Sequence, residues 1–188
     1  MSFWKSLLGK SEPKRANLDA LFSLPSAGIT LQAALGFTPT GVGSVCFRAA
    51  EGAAFASTRA DVTAMLAADG THVTEHTDEF GFTWLTDRHD PSDLSGLVTE
   101  LHGVNSTLEA QGFGPGLLCS LVHFRGPTDQ RLAMVYLYKQ GTFYPFAPNG
   151  PQQRDNMVEI QIRDAVSGDL PIEGDMSRWM AVWGAPEL

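Results

Sequence analysis

The residues with the clearest potential for chemistry are His72-Val-Thr-Glu75-His76, which match the H-x-x-E-H motif of one class of zinc proteases. That mechanism needs both imidazoles on one face of a helix, with the glutamate placed as general base. Here the neighbouring residues favour a β-strand, which would place Glu75 on the opposite face from His72 and His76. We therefore predict the solvated polar face of a hairpin and no metal site, with incidental metal binding by the two histidines as the alternative.

A glycine-rich run at residues 112–116, Gly-Phe-Gly-Pro-Gly, has the composition of a phosphate-binding loop. Such loops follow a strand and precede a helix, because the helix N-terminus supplies the donors for the phosphate. This run follows a predicted helix and precedes a predicted strand. We interpret it as the end of a helix and a turn, and we predict no cofactor.

The two cysteines and the histidines outside the H-x-x-E-H motif do not form a recognisable catalytic motif. Cys46 and Cys119 lie in apolar runs typical of buried strands, where a free cysteine behaves as a small core residue. His102 and His123 each lack a partner in the sequence. We predict no catalytic residue from these positions.

The aromatic residues concentrate in residues 135–148, which contain all three tyrosines of the chain. One interpretation is a hairpin whose apolar face packs on a long helix. The other is an aromatic surface for a ligand or partner, because tyrosine and phenylalanine are common at interfaces. The residues of that surface would be Tyr136, Tyr138, Phe143, Tyr144 and Phe146.

The secondary structure that must position these residues is less clear in the first third of the chain. Asn17 is a plausible cap for a short helix over Leu18–Leu24, which Pro25 would end. In the next stretch, 25–39, the apolar residues fit both a strand alternation and a helical period, and we favour a strand. A short strand is then predicted over Ser44–Arg48 and a helix over Ser57–Asp69.

The rest of the chain gives stronger patterns. A break at 79–81 predicts a hairpin within Thr71–Arg88. An apolar stripe at helical spacing predicts a long helix over Pro91–Gln111, with Asp90 as its cap. Further elements are predicted as strands over Leu117–Arg125, Leu132–Lys139 and Thr142–Ala147, a helix from the capping box Asn156 and Glu159 to about Ser167, and a strand over Arg178–Trp183.

Strands that come largely as hairpins indicate an α+β fold, with an antiparallel sheet and helices packed on one face. The length of 188 residues fits one globular domain, which we place at residues 17–188. We expect no membrane-spanning helix, and we expect a cytoplasmic protein that touches the inner face of the membrane.

A short basic, amphipathic segment precedes that domain, at residues 1–16. Its first fifteen residues carry four basic side chains and one acidic, whereas the whole chain has a formal net charge of −8. The acidic body argues against a nucleic-acid partner. The segment itself indicates docking to an anionic membrane surface, to a partner's groove, back onto its own domain, or to a second copy in a homodimer. The residues that would dock are Phe3, Trp4, Lys5, Leu7, Leu8 and Lys10.

Longer runs of the sequence resemble a known family. They include Gly-Val-Gly-Ser-Val-Cys-Phe-Arg at 41–48, Val-Tyr-Leu-Tyr-Lys-Gln-Gly-Thr-Phe-Tyr-Pro-Phe-Ala-Pro at 135–148 and Ser-Arg-Trp-Met-Ala-Val-Trp-Gly at 177–184. These runs resemble PspAB, the PspA-associated protein family. The resemblance implies an association with the phage-shock membrane-stress system built around PspA, and it implies no activity or cofactor.

Two functional hypotheses follow. The first is a non-enzymatic adaptor or regulator that contacts a PspA-like protein and docks weakly on the membrane. The second is a small-molecule-binding or hydrolytic enzyme, with a pocket lined by the aromatic hairpin 135–148 and by Arg154, Asp155 or His123.

Overall fold

Six antiparallel strands form one sheet in the part of the chain that the computed structural model describes, which is residues 16–48, 60–61, 63–64 and 73–188. Their order across the sheet is β2-β3-β1-β4-β5-β6. The strands are β1 Thr38–Phe47, β2 Thr74–Thr77, β3 Thr83–Arg88, β4 Leu117–Arg125, β5 Arg131–Leu137 and β6 Thr142–Phe146.

Helices pack on one face of this sheet, which confirms the predicted α+β class. The α-helices are α1 Leu24–Leu35, α2 Leu94–Ala110 and α3 Asn156–Val166, and short 3-10 helices cover Leu18–Ser23, Gly114–Gly116 and Met176–Arg178. Residues 60–61 and 63–64 are also helical, and the rest of the helix predicted over Ser57–Asp69 lies outside the described residues.

The predicted hairpins are confirmed. β2 pairs with β3 around the break at 79–81, and β4–β5–β6 run antiparallel in sequence order. The strand predicted from Ser44 begins earlier, at Thr38, and pairs with β3 on one side and β4 on the other. It is therefore a central strand, buried from Gly41 to Phe47.

The long helix α2 is present but begins later than predicted. Its N-cap is Asp93, whose Oδ1 accepts a hydrogen bond of 2.9 Å from the backbone N–H of Gly96. Asp90 instead caps the preceding turn by accepting from the N–H of Ser92. The predicted apolar stripe is buried against the sheet, and a Cβ atom at Gly43 would lie only 2.8 Å from Leu101 Cδ1.

The strand predicted over 25–39 is wrong for its first part, because Leu24–Leu35 is helical. The buried residues Leu24, Ala27, Gly28 and Leu31 recur at helical spacing, whereas Ile29 is 73% exposed. Pro25 does not end a helix; it occupies the first turn of α1, where a missing N–H costs nothing.

One helical stretch of the described residues, Leu18–Leu35, is long and apolar enough to cross a membrane by length and composition. It packs as a core element here, because its leucines contact α2 and the sheet. Ser26 and Thr30 on the same stretch donate hydrogen bonds to the carboxylate of Asp169, just after α3.

The C-terminal predictions need two corrections. The cap of α3 is Asp155, which accepts from the N–H of Val158, and not Asn156. The strand predicted over Arg178–Trp183 is absent; a 3-10 turn is followed there by irregular chain. This irregular chain covers part of the second face of the sheet, and the uncovered part forms the site described next.

Candidate functional site

An apolar groove of about 1010 Å³ opens on the face of the sheet opposite the helices. Side chains from five segments of the chain meet there, and they lie at one end of the sheet. The floor is formed by Cys46 of β1, Trp84 of β3, Cys119 of β4, Leu137 of β5 and Tyr144 of β6.

One wall is the β2–β3 turn, which Asp78 holds in shape. Its Oδ1 accepts hydrogen bonds of 2.9 Å from the N–H groups of Phe80 and Phe82. Its Oδ2 accepts a hydrogen bond of 2.8 Å from the indole Nε1 of Trp84. A side chain at Gly184 would collide with this carboxylate, so glycine lets the C-terminal chain approach the turn.

A second wall is the C-terminal chain, Met180–Gly184, which is held in place by part-buried polar contacts. The Tyr144 hydroxyl donates a hydrogen bond of 2.8 Å to the carbonyl of Met180. Arg154 Nη1 donates to the carbonyl of Trp179 at 2.6 Å, and the Trp179 ring stacks on Tyr144 at 5.9 Å between centroids. These contacts fix a segment that has no regular hydrogen bonding of its own.

The anchor continues into the core through a buried ion pair. Arg154 Nε lies 2.9 Å from Glu159 Oε1, and the same oxygen accepts a hydrogen bond of 2.9 Å from the Ala147 N–H. Glu159 is buried in α3, so the pair links the helical face of the protein to the wall of the groove. The capping role predicted for Glu159 is therefore replaced by a role in positioning the C-terminal chain.

The family of this protein is identified from its sequence. The family model PspAB, described as PspA associated protein B, matches residues 1–187. The chain belongs to the PspAB family. No curated protein matches the chain. The family match spans both walls of the groove and the amphipathic segment at the start of the chain.

The polar side chains on the floor of the groove have raised pKa values and are unreactive near neutral pH. A hydrogen bond with Cys119 and burial raise the pKa of the Cys46 thiol far above its ordinary value. Burial likewise raises the pKa of the Tyr144 hydroxyl. Neither group is prepared to act as a nucleophile or base near neutral pH.

Two cations also line the groove. Arg48 and Lys139 are both exposed and both line the groove. The guanidinium carbon of Arg48 lies 4.9 Å from the centroid of the Phe82 ring, a cation–π distance. Among the described residues, neither cation is in an ion pair.

The aromatic residues predicted as an interaction surface do not form one. Tyr136, Tyr138 and Phe143 are buried in the cluster under the helices, as the hairpin interpretation expected. Tyr144 and Phe146 are buried in the cluster on the other face. The prediction of an exposed surface is corrected, and Tyr144 alone of the five lines the groove.

The residues proposed for an enzyme site do not converge. Arg154 is committed to Glu159 and Trp179, and Asp155 caps α3. His123 lines a separate cavity of about 170 Å³ with Glu187, where burial lowers its pKa to about 4. The structure therefore does not bring Arg154, Asp155 and His123 together in one site.

The H-x-x-E-H motif falls partly outside the described residues, because His72 is not among them. Glu75 and His76 are exposed on β2, as the strand interpretation predicted. Within the described ranges, no group of three His, Cys, Asp or Glu side chains is placed to hold a metal ion. The docking residues Phe3, Trp4, Lys5, Leu7, Leu8 and Lys10 also lie outside the described residues.

Sequence reasoning missed the groove itself. Its residues come from distant segments, and no single motif joins them, although Gly112, Phe113, Pro115 and Gly116 of the glycine-rich run are among them. One available signal was Phe80, a large apolar residue in a tight turn, which is 51% exposed. Another was the apolar run Met180-Ala-Val-Trp183, which we interpreted as a strand.

Proposed function

We propose that this PspAB protein is a non-enzymatic adaptor or regulator in a PspA-type membrane-stress response. The observation that carries the proposal is the family match over residues 1–187, since the family's name indicates association with PspA. The protein would act through contact with a PspA-like protein and through weak docking on the inner face of the membrane.

The chemistry of the groove supports a binding role over catalysis. The Asp78 carboxylate already accepts three hydrogen bonds, so it is held as a structural group. The pKa of Cys46 and that of Tyr144 are both raised, which keeps the two groups neutral. An apolar surface with neutral, hydrogen-bonded polar groups is suited to hold a partner or ligand without transforming it.

The amphipathic segment, residues 1–16, supplies the proposed docking element, on a single globular domain at residues 17–188. Burial of Phe3, Trp4, Leu7 and Leu8 contributes roughly 6–10 kcal/mol. Ordering about seven residues costs roughly 10 kcal/mol. Basic side chains near an anionic surface add about 1 kcal/mol each. The total is near zero, so docking is conditional on an anionic membrane or a preformed partner groove.

Capture of partners from the native cell tests the adaptor role. Tagged full-length protein is compared with the variant Phe3→Ala/Trp4→Ala/Leu7→Ala/Leu8→Ala and with Ile29→Ala. Ile29 is an exposed apolar residue of α1, so its variant controls for loss of surface hydrophobicity. We expect a PspA-like protein with the unaltered chain and with Ile29→Ala, and much less with the quadruple variant. Capture of no PspA-like protein by the unaltered chain would contradict the proposal.

Co-sedimentation with anionic vesicles tests the membrane part separately. We expect binding that weakens with added salt and with Lys5→Gln/Lys10→Gln, because exposed charges are screened. Arg163→Gln on α3 is the matched control, since Arg163 is a cation on the helical face. Binding that is indifferent to salt and to the lysines would leave the membrane part without support.

A hydrolytic enzyme with a pocket lined by hairpin 135–148 is not favoured by any contact in the described residues. The hairpin contributes Leu137, Lys139 and Tyr144 to the groove, and His123, Arg154 and Asp155 lie elsewhere. The small-molecule-binding part of that hypothesis does have support, because the groove is large enough to hold a ligand.

A further inference from the structure

The groove exposes apolar surface that a folded protein would otherwise bury. Phe80 is 51% exposed and Met180 is 62% exposed, and both residues line the groove. Phe82, Leu118 and Val182 also line it, and their side chains are only partly buried. Exposed apolar patches with a polar rim are typical of binding sites.

Among the described residues, the charged side chains of the groove that can still pair with a ligand are cations. Arg48 follows β1 and Lys139 follows β5, so both lie at the same end of the sheet. Asp78 is the acidic residue in the lining, and its oxygens already accept from two backbone N–H groups and the Trp84 indole. The charged side chains left to pair with a ligand are therefore Arg48 and Lys139.

The size of the groove sets the class of ligand. Its volume of about 1010 Å³ lies at the upper end of the range of roughly 300–1,000 Å³ for small-molecule sites. An apolar surface that is also lined by two exposed cations is complementary to an apolar chain that ends in an acid. We propose that the groove binds a single-chain anionic amphiphile of the fatty-acid class, with its acyl chain between Phe80 and Met180 and its head group at Arg48 and Lys139.

The binding site is additional to the adaptor role and does not depend on it. A groove that binds no amphiphile would leave partner capture by the N-terminal segment unaffected. Conversely, a protein that captures no PspA-like partner could still bind the ligand, so the two experiments fail independently.

Tryptophan quenching by a brominated fatty acid tests the site, because bromine quenches an indole on contact and Trp84 and Trp183 line the groove. The probe is 9,10-dibromostearate below its critical micelle concentration, and the matched neutral probe is the corresponding dibromostearyl alcohol. With the full-length protein we expect saturable quenching, with the acid bound about tenfold more tightly than the alcohol.

Variants locate the head group and the chain. Arg48→Gln/Lys139→Gln is expected to weaken binding of the acid about tenfold and to leave the alcohol unchanged. Ala181→Phe fills the groove from an exposed position, so it should weaken both probes. Arg163→Gln on the helical face should change neither. Equal affinities for acid and alcohol, or indifference of the acid to the double variant, would overturn the proposal.

The protein's own N-terminal segment is the main competing occupant. Phe3→Ala/Leu7→Ala/Leu8→Ala removes apolar residues of that segment and keeps every tryptophan. We expect its affinity for dibromostearate to equal that of the unaltered protein. An affinity about tenfold higher would mean that the segment occupies the groove of the free protein and competes with the ligand, and it would overturn the assignment of the amphiphile as the groove's own occupant.

Discussion

Cys46 and Cys119 lie directly opposite each other on the antiparallel strands β1 and β4, on the floor of the groove. Both are free thiols, and they are 3% and 7% exposed. The two thiols are cross-strand neighbours, and the proximity of Cys119 together with burial raises the pKa of Cys46, so this part of the groove floor is neutral and weakly polar.

The first prediction concerns the reactivity of this pair. The raised pKa of Cys46 leaves little thiolate, and burial limits access, so alkylation by iodoacetamide at pH 8 should be about a hundredfold slower in the native protein than in urea. Mass spectrometry of timed samples measures the modification of each cysteine. Rapid native labelling of Cys46 would contradict the neutral, closed floor.

The second prediction concerns Asp78, which organises the β2–β3 turn. Asp78→Ala leaves the Trp84 indole and two backbone N–H groups without their acceptor, and should lower the free energy of unfolding by about 2 kcal/mol. Urea titration followed by circular dichroism measures this. The exposed neighbour Glu79 gives the control, since Glu79→Ala should cost less than about 0.5 kcal/mol. Equal effects of the two variants would show that the turn is not held by Asp78.

The third prediction concerns the buried pair of Arg154 and Glu159. Glu159→Ala removes the acceptor of both Arg154 Nε and the Ala147 N–H, and leaves a mostly buried cation unpaired. We expect a loss of about 3 kcal/mol in the free energy of unfolding. Thermal and urea unfolding check this, with Arg163→Ala as control, since the pair of Arg163 with Asp164 is more exposed and should contribute about 0.5 kcal/mol or less. A small effect of Glu159→Ala would indicate that water replaces the carboxylate.

The fourth prediction concerns pH and His123. Burial lowers the pKa of His123 to about 4, with Glu187 acting to raise it and Arg125 to lower it. The unfolded chain therefore binds more protons than the folded protein between about pH 6.5 and pH 4. The free energy of unfolding should fall as the pH is lowered through that window, by about 3 kcal/mol from this group.

Urea unfolding at several pH values from 7 to 4 measures that dependence. His123→Gln should flatten the slope, whereas His76→Gln on the exposed strand β2 should retain it. An unchanged slope in His123→Gln would assign the acid sensitivity to carboxylates instead. The buried Nε2 of His123 has no hydrogen-bond partner among the described residues, which is consistent with a neutral ring.

Local sequence patterns predicted the elements whose stabilising contacts are close in the chain. The β4–β5–β6 meander follows from tight turns between apolar runs, and α2 follows from a stripe of leucines and valines at helical spacing. The start of α2 was misplaced because both Asp90 and Asp93 are good caps. Only the hydrogen bond from the Gly96 N–H to Asp93 decides between them.

The secondary-structure predictions were wrong where strand and helix periodicity both fitted the same residues, or where the sequence has no periodicity. Ile29, Leu31, Ala33 and Leu35 alternate as in a strand, yet burial follows the helical set that includes Leu24 and Ala27. The C-terminal chain has no repeating pattern, because its position depends on Arg154 and Tyr144 from other elements. Its contacts are long-range, and a local pattern carries no information about them.

By itself the sequence determined the α+β class, the hairpins, the long helix and the PspAB family, since these depend on local periodicity, turn chemistry and whole-chain similarity. The tertiary structure alone decided that the aromatic hairpin is core and that a groove opens on the other face. The physical reason is that burial is settled by which elements cover each face of the sheet. In the described part of the chain, α1, α2 and α3 cover one face, and the short C-terminal chain, anchored through Tyr144 and Arg154, leaves part of the other open.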